Sequence, residues 1–497
     1  LAPRLVIIGG GPGGYQAAAR AAQLGAEVVL VENAGLGGTC LHHGCIPTKS
    51  LLASAAVLMT ARRAGEFGLR LEGSITPDMP AIMARKDQVV KVQVQGIEKM
   101  LRSSGVRLLW GRGRLATPFV VEASLNGGGS ERLEFDRLIL ATGSRPADLP
   151  GVPGLVRDGA RVLNSDDALA LTEIPVSLAV VGGGVVGCEL ASIFAALGSQ
   201  VAVIEARERL LPIDSLDHEC SKLLMREMKK AKIATHLGRV AGEAVPEGEG
   251  LKLTLAPSPL VPEPPAGELT LSVDKVLVAV GRALNSEGLC LQAMGARLDG
   301  RGAVEVDQRL CVADRIWAVG DLLGPRRPML AHLAGAEGVA AAEMALGRES
   351  AVDYAVVPAV AFTFPEVAWV GLTLEQALAA GAEAQTVFCP VRLLGKSQAM
   401  GEIAGQIRMV SEKGSGRLLG AHLIGPHAAD LVHECTLALR LGATVADIAH
   451  TIHAHPTLSE GLKEAAEAAL GRAIHLPQSN KSRAHAAGLT PRSGRVG

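Results

Sequence analysis

Two stretches of the chain repeat one pattern of apolar and polar positions. RLVIIGGGPGGYQAAARAAQLGAEVVLVE spans residues 4–32, and SLAVVGGGVVGCELASIFAALGSQVAVIE spans residues 177–205. In each, an apolar run predicts a buried strand and clustered glycines break it. An alanine-rich segment of helical character follows, and a second apolar run ends in glutamate. That order is a strand–helix–strand unit with a glycine turn opening the helix. The distance from the last glycine to the glutamate is the same in both: 32 − 14 = 18 and 205 − 187 = 18. One such unit arises by chance; two with matched spacing predict two dinucleotide sites.

Between them the pattern predicts a helical stretch over roughly Thr48–Arg102, then strands and turns through Leu138–Ala141. Asn126–Ser130 reads as a glycine-rich hairpin turn. Ala256–Gly267 carries five prolines and reads as an exposed loop. The chain leaves the second unit near Gly281–Arg282. Residues 303–321 alternate like strands and end at Gly320–Asp321, and from about Ala355 strands give way to helices. The fold class expected is α/β, with two Rossmann-like dinucleotide-binding domains (1–150 and 151–280). A central domain (281–352), a C-terminal α+β domain (353–476) and a disordered tail (477–497) follow.

Composition narrows the functional classes. At 497 residues and 48% hydrophobic, the chain has more apolar material than one core needs, so several domains are expected. A net charge of −1 points to neither a nucleic-acid nor an acidic-membrane partner. No uninterrupted apolar run reads as a membrane span, and the first residues lack the apolar stretch and cleavage site of a signal peptide. Of eight cysteines only Cys40 and Cys45 are close in sequence, which fits a reducing, cytoplasmic compartment.

Each glycine turn has a defined chemistry. Gly9 permits the tight turn, Gly11 lets a pyrophosphate approach the backbone, and Gly14 lets helix and strand pack closely. The helix start then offers free N–H groups to phosphate, and Glu32 is placed to accept from ribose hydroxyls. Gly182, Gly184 and Gly187 repeat the turn. Glu205 favours a free 2′-hydroxyl over a 2′-phosphate, hence NAD over NADP. Arg207 and Arg209 lie just beyond; as solvated surface charges they change nothing, but bent toward the ribose they would favour NADP.

GGTCLHHGCIPTKSLL, residues 37–52, sets Cys40 and Cys45 five apart at the start of a predicted helix, where thiolate is favoured. The Gly37–Gly38 turn lets a flat cofactor lie against the backbone. Two buried thiols or half a metal site are the competing readings, although CxxxxC is a poor zinc spacing and no metal is expected. His42 and His43 read as loop side chains that tune the thiols. In IHAHPTLSEGL, residues 452–462, His455 precedes a proline and is extended. Glu460 lies five residues on, where a carboxylate can fix one imidazole tautomer and make the other nitrogen a base for a thiol.

GGTCLHHGCIPTK resembles the signature of the class I pyridine nucleotide–disulphide oxidoreductases. The resemblance implies FAD on the first domain, NAD on the second, and a central domain completing the FAD site. Cys45 is then the flavin-proximal thiol and Cys40 the interchange thiol that meets substrate. Lys49 lies beside the flavin and pairs with Glu189, stabilising charge that develops on the ring. LILATGS (Thr142, Gly143, Ser144), AVGR (Gly281), IWAVGD (Asp321) and MLAH (Met329, Leu330, Ala331, His332) resemble further family segments in the family's order. By this resemblance the FAD set is Gly9, Gly11, Pro12, Gly13, Gly14, Glu32, Gly38, Thr39, Lys49, Gly113, Thr142, Gly143, Ser144, Asp321 and residues 329–332. The NAD set is Gly182, Gly184, Val185, Val186, Gly187, Glu189, Glu205, Val240 and Gly281.

HAHPTLSE resembles the family's catalytic histidine motif, in which His455 comes from the other subunit. That implies a homodimer built by the C-terminal domain, with His453 a neighbour of the base. Together with CIPTK, Glu205 and FTFPEVAWVG (362–371), the motif is most similar to the dihydrolipoamide dehydrogenase branch. The expected reaction is oxidation of protein-bound dihydrolipoamide, with lipoyl domains of 2-oxoacid dehydrogenase or glycine cleavage complexes as partners. A disulphide or quinone reductase with another acceptor is the alternative. The tail has no extra cysteine pair of the mercuric reductase kind. His42–His43 replaces an Asn-containing dipeptide, and Phe364 stands where a histidine is common.

Overall fold

The structure, a computed structural model, describes residues 2–476. The expected disordered tail, 477–497, lies outside the described residues. Near the N-terminus β1 (Arg4–Ile8), α1 (Pro12–Gln23) and β2 (Glu27–Glu32) form the first predicted unit. β1 and β2 pair in parallel from Arg4–Glu27 to Ile8–Val31. Leu5 to Ile8 are all buried, because helices cover both sides of a parallel sheet. Gly13, Gly14, Ala17, Ala18 and Ala21 form the buried face of α1.

After α2 (Gly38–His42), the helical stretch expected over Thr48–Arg102 consists of α3 (Cys45–Arg62) and α4 (Met79–Ser103), with a 3-10 turn at Ala64–Phe67. Gly68 ends that turn in the left-handed region, φ 75°, and Asp78 caps α4 by accepting from the Ala81 N–H. Residues Gly38–Arg62 would pass as a membrane span by length and composition, contrary to the sequence reading. In the fold that stretch breaks at His43–Gly44, and Leu51, Ala55 and Leu58 are buried in a core shared with the second domain.

β3 (Arg107–Thr117), β4 (Val120–Leu125), β5 (Ser130–Glu134) and β6 (Arg137–Leu140) follow. The predicted hairpin turn joins β4 to β5. The second unit comprises β7 (Val162–Leu163), β8 (Ser177–Val181), α5 (Val185–Leu197), β9 (Gln200–Glu205), α6 (His218–Lys230) and β10 (Ala234–Leu237). Next come the meander β11 (Arg239–Glu247), β12 (Gly250–Pro257), β13 (Leu269–Val273), and then β14 (Lys275–Val278). The proline-rich loop joins β12 to β13. It is not wholly exposed: Ser258 and Val261 are buried. The second sheet runs β10-β9-β8-β14-β7.

The central segment returns to the first domain. β15 (Cys311–Ala313) and β16 (Ile316–Ala318) extend its sheet to eight strands, β15-β16-β6-β1-β2-β3-β4-β5. α7 (Ala331–Ala345) packs on α1 so closely that a Cβ at Gly338 would overlap the Gly13 carbonyl. Last is an α+β unit of β17 (Ala359–Ala361), β18 (Glu366–Gly371), β19 (Ala384–Pro390), β20 (Gln406–Glu412) and β21 (Leu418–Gly425). Its antiparallel sheet, β17-β18-β21-β20-β19, is covered by α8 (Ala428–Arg440), α9 (Val445–His450) and α10 (Glu460–Ala469).

Candidate active site

The two glycine turns are geometric copies. A Cβ on Gly9 would overlap the Ala141 carbonyl and one on Gly14 would overlap the Gly9 carbonyl. In the second turn Gly182 stands in the same relation to Ala279, and Gly187 to Gly182. Gly9 and Gly182 also have φ of 103° and 114°, which only glycine adopts without strain. Nothing lies within 4 Å of a Cβ built on Gly184, so that turn opens outward at the helix start.

A cavity of about 1940 Å³ opens beside the first turn. Of the residues assigned to FAD from sequence, Gly9, Gly11, Pro12, Gly13, Glu32, Gly38, Thr39, Lys49, Gly113, Thr142, Gly143, Ser144, Asp321, Met329, Leu330, Ala331 and His332 all line it. Gly14 does not; it is the packing glycine behind the turn. The same cavity takes in Cys40 and Cys45, and Val185, Val186 and Glu189 from the second domain. Gly182, Gly184, Gly187, Glu205, Val240 and Gly281 lie outside it. The cradle fits an extended flavin dinucleotide: Cβ atoms at Gly11 and Gly143 meet almost nothing, and α1 presents its N-terminus there.

Both ribose-side carboxylates are tied into their own turns. Glu32 accepts from the Gly10 and Ala34 N–H groups at 2.6 Å each and from Gly35 at 3.1 Å. Glu205 accepts from Gly183 at 2.6 Å and Arg207 at 2.8 Å. The free N–H groups of a glycine turn explain this, since they need an acceptor where the strand ends. Each carboxylate thus builds its turn, and Glu32 also lines the cavity. Arg209 does not bend toward the ribose. It donates to the carbonyls of Ile213 (2.6 Å) and Leu216 (3.1 Å).

Cys45 is the first residue of α3 and Cys40 sits in α2, so two short turns bring the thiols together. The Cys40 thiol stands beside the Cys45 sulfur and interacts with it. That interaction, with the Lys49 charge, lowers Cys45 to about 7 against the opposing effect of burial. Cys40 is pushed up by the same interaction and by burial, and keeps its proton. The Lys49 ammonium lies 2.8 and 3.0 Å from the two Glu189 oxygens and 4.3 Å above the Phe362 ring. Glu189 is buried and also accepts from the Phe362 N–H at 2.8 Å. His42 donates to or accepts from no thiol; its Nε2 meets the Leu36 carbonyl at 2.9 Å. His43 is exposed on the cavity rim. Phe364 packs against the core that the second domain shares with α3.

Arg282 and Asn285 do work that the sequence did not disclose. Arg282 donates to the Ser144 hydroxyl (2.5 Å) and carbonyl (2.9 Å), and Ser144 donates to Asp321 (2.5 Å). Asn285 and Thr142 exchange side-chain to backbone hydrogen bonds at 2.9 and 2.8 Å. Arg282 closes the quoted AVGR segment, which was the available signal. Glu337, on α7, gave none. It is buried, accepts from Gly320 and Tyr354 at 2.7 Å each, and burial raises its carboxyl above the usual range.

His455 Nδ1 lies 2.9 Å from Glu460, whose other oxygen accepts from the Thr457 N–H at 2.8 Å. Burial opposes ionisation of Glu460, but those two partners prevail and hold its carboxyl low. Neither residue lines this chain's own cavity, and the His455 side chain is 76% exposed.

Comparison with known proteins fits this geometry. Residues 3–338 match the pyridine nucleotide-disulphide oxidoreductase family, and residues 357–466 match its dimerisation domain, which supports a homodimer. The chain is 40% identical to the dihydrolipoyl dehydrogenase of Chlamydia muridarum, over 96% of this chain and 98% of the relative. It is 40% identical to dihydrolipoyl dehydrogenase 2 of Haloarcula marismortui, over 95% and 97%. The crystal structure of LpdA from Mycobacterium tuberculosis superposes with a TM-score of 0.85 at 28% identity, covering 94% of this chain and 99% of that one. The chain belongs to the pyridine nucleotide-disulphide oxidoreductase family and is an oxidoreductase that works with FAD and NAD.

Proposed function

We propose that this protein oxidises protein-bound dihydrolipoamide, with NAD as the final acceptor, through the Cys40–Cys45 disulphide. The observation that carries the reading is the placement of both thiols, Lys49 and Glu189 in one cavity beside the first glycine turn. The activity named for the full-length relatives supports the substrate. Glu205 at the end of β9, with Arg209 tied elsewhere, supports NAD over NADP.

In the cycle, His455 of the partner subunit takes the proton of one substrate thiol, and Glu460 steadies the resulting imidazolium. The substrate thiolate attacks the Cys40 sulfur; the Cys40–Cys45 bond breaks and Cys45 leaves as thiolate. The second substrate thiol closes on the substrate sulfur bound to Cys40 and passes its proton to the departing Cys40 sulfur. That forms cyclic lipoamide and frees Cys40, so the substrate is oxidised and the protein pair reduced by two electrons. A low Cys45 makes it the better leaving group. FAD, held by the first domain's cradle, supplies the two-electron chemistry that links the reduced pair to NAD. Lys49, fixed by Glu189, places positive charge at the cysteine end of that cradle. Lipoyl domains, which carry the substrate on a long arm, are the partners this reading requires.

His455→Gln should lower dihydrolipoamide turnover at least about 100-fold, the usual scale for losing a general base. Flavin reduction by NADH should persist. Near-normal dihydrolipoamide turnover would refute the reading, and faster turnover with glutathione disulphide or a quinone would favour the other acceptors.

A further inference from the structure

The loop between α9 and α10 is turned outward: Ile452 is 92% exposed, and His455 stands clear of its own subunit. His453 turns inward, its side chain only 5% exposed. Its Nδ1 lies 2.9 Å from the Thr451 carbonyl and its Nε2 lies 3.0 Å from Glu434 on α8. A carbonyl only accepts, and so does an ionised carboxylate. A neutral imidazole has one N–H and can serve only one of them. Both contacts together need one more proton, carried by the imidazole or by the carboxyl. The link is therefore charge-assisted or proton-sharing, and stronger than a neutral hydrogen bond.

We propose that His453 and Glu434 form a positioning dyad that fixes the loop presenting His455 to the partner subunit. This rests on the reading of His455 as the base. The far side of the loop is already held, by Thr457 donating to the Ala454 carbonyl at 2.8 Å and to Glu460 through its N–H. The dyad supplies the hold on the near side. Its anchor is well placed: His433, next to Glu434, lines this chain's own cavity. One helix thus borders one active site and steadies the base that serves the other.

The test uses the full-length holoenzyme with Glu434→Ala, Glu434→Gln and His455→Gln. Hydrogen exchange of the 451–456 loop and anaerobic flavin reduction by dihydrolipoamide and by NADH are measured. Glu434→Ala should speed loop exchange about fivefold and slow reduction by dihydrolipoamide about tenfold, with the NADH rate unchanged. Glu434→Gln keeps an acceptor oxygen but not the charge, and should restore only part of both. Wild-type loop exchange and rate in Glu434→Ala, or equal losses with both reductants, would overturn the dyad. If His455→Gln is slow while Glu434→Ala is normal, the dyad alone fails. If His455→Gln keeps the wild-type rate, the base assignment itself fails.

Discussion

At the scale of single residues, the two cysteines are chemically unlike although they are five positions apart. The Cys40 thiol and the Lys49 charge bring Cys45 down to about 7, whereas its partner and burial push Cys40 up. In the reduced pair the Cys45 thiolate should therefore prevail above that pH and fade as pH falls through it. Cys40→Ser keeps a hydrogen-bond donor and should leave the midpoint near 7. Cys40→Ala removes the largest stabilising contact and should return Cys45 toward the ordinary thiol range, about 8.5. Thiolate absorbance against pH checks both. Equal midpoints in the two variants would mean that Lys49, not Cys40, sets the value. The pair itself was legible because its chemistry is local. The role expected of His42 was not, because its ring is drawn to the Leu36 carbonyl by a fold of the loop that sequence does not show.

At the scale of elements, the glycine turns separate packing from binding. Gly14 has no room for a methyl group against the Gly9 carbonyl, whereas Gly184 faces open space with φ −73°, a value alanine adopts freely. Gly14→Ala should cost about 3 kcal/mol and weaken flavin retention. Gly184→Ala should change stability by less than about 0.5 kcal/mol yet raise KM for NAD about tenfold, because the methyl group meets the pyrophosphate. Denaturant titration and steady-state kinetics distinguish these outcomes; a destabilised Gly184→Ala with unchanged KM would reverse the assignment. Strand–turn–helix units were readable because periodicity and glycine spacing lie within one element pair. The helical stretch expected over Thr48–Arg102 is there as α3 and α4; the break between them was not readable, because the left-handed residue at Gly68 is seen only in the fold.

At the scale of the whole molecule, the sites are finished by contacts that no local pattern encodes. Arg282 reaches Thr39 across 243 positions, at 3.5 Å, and Phe362 meets Glu189 across 173. Asp217, buried at the start of α6, takes Arg408 from the C-terminal domain at 2.9 Å, and its N–H donates to buried His422 at 3.3 Å. Removing one partner of such a buried pair leaves the other uncompensated, so these residues tie the second domain to the C-terminal domain. The order of the motifs along the chain pointed to the family; the side chains that join the domains could only be found in three dimensions. The central claim is that the electron pair passes through the sulfurs at positions 40 and 45. Anaerobic reductive titration of the holoenzyme tests it most directly. The wild type should consume twice the reducing equivalents of its flavin alone, with a long-wavelength thiolate–flavin band at the halfway point. Cys45→Ser should consume only the flavin's share and show no band. A wild-type titration that ends at the flavin's share, with no such band, would contradict the account.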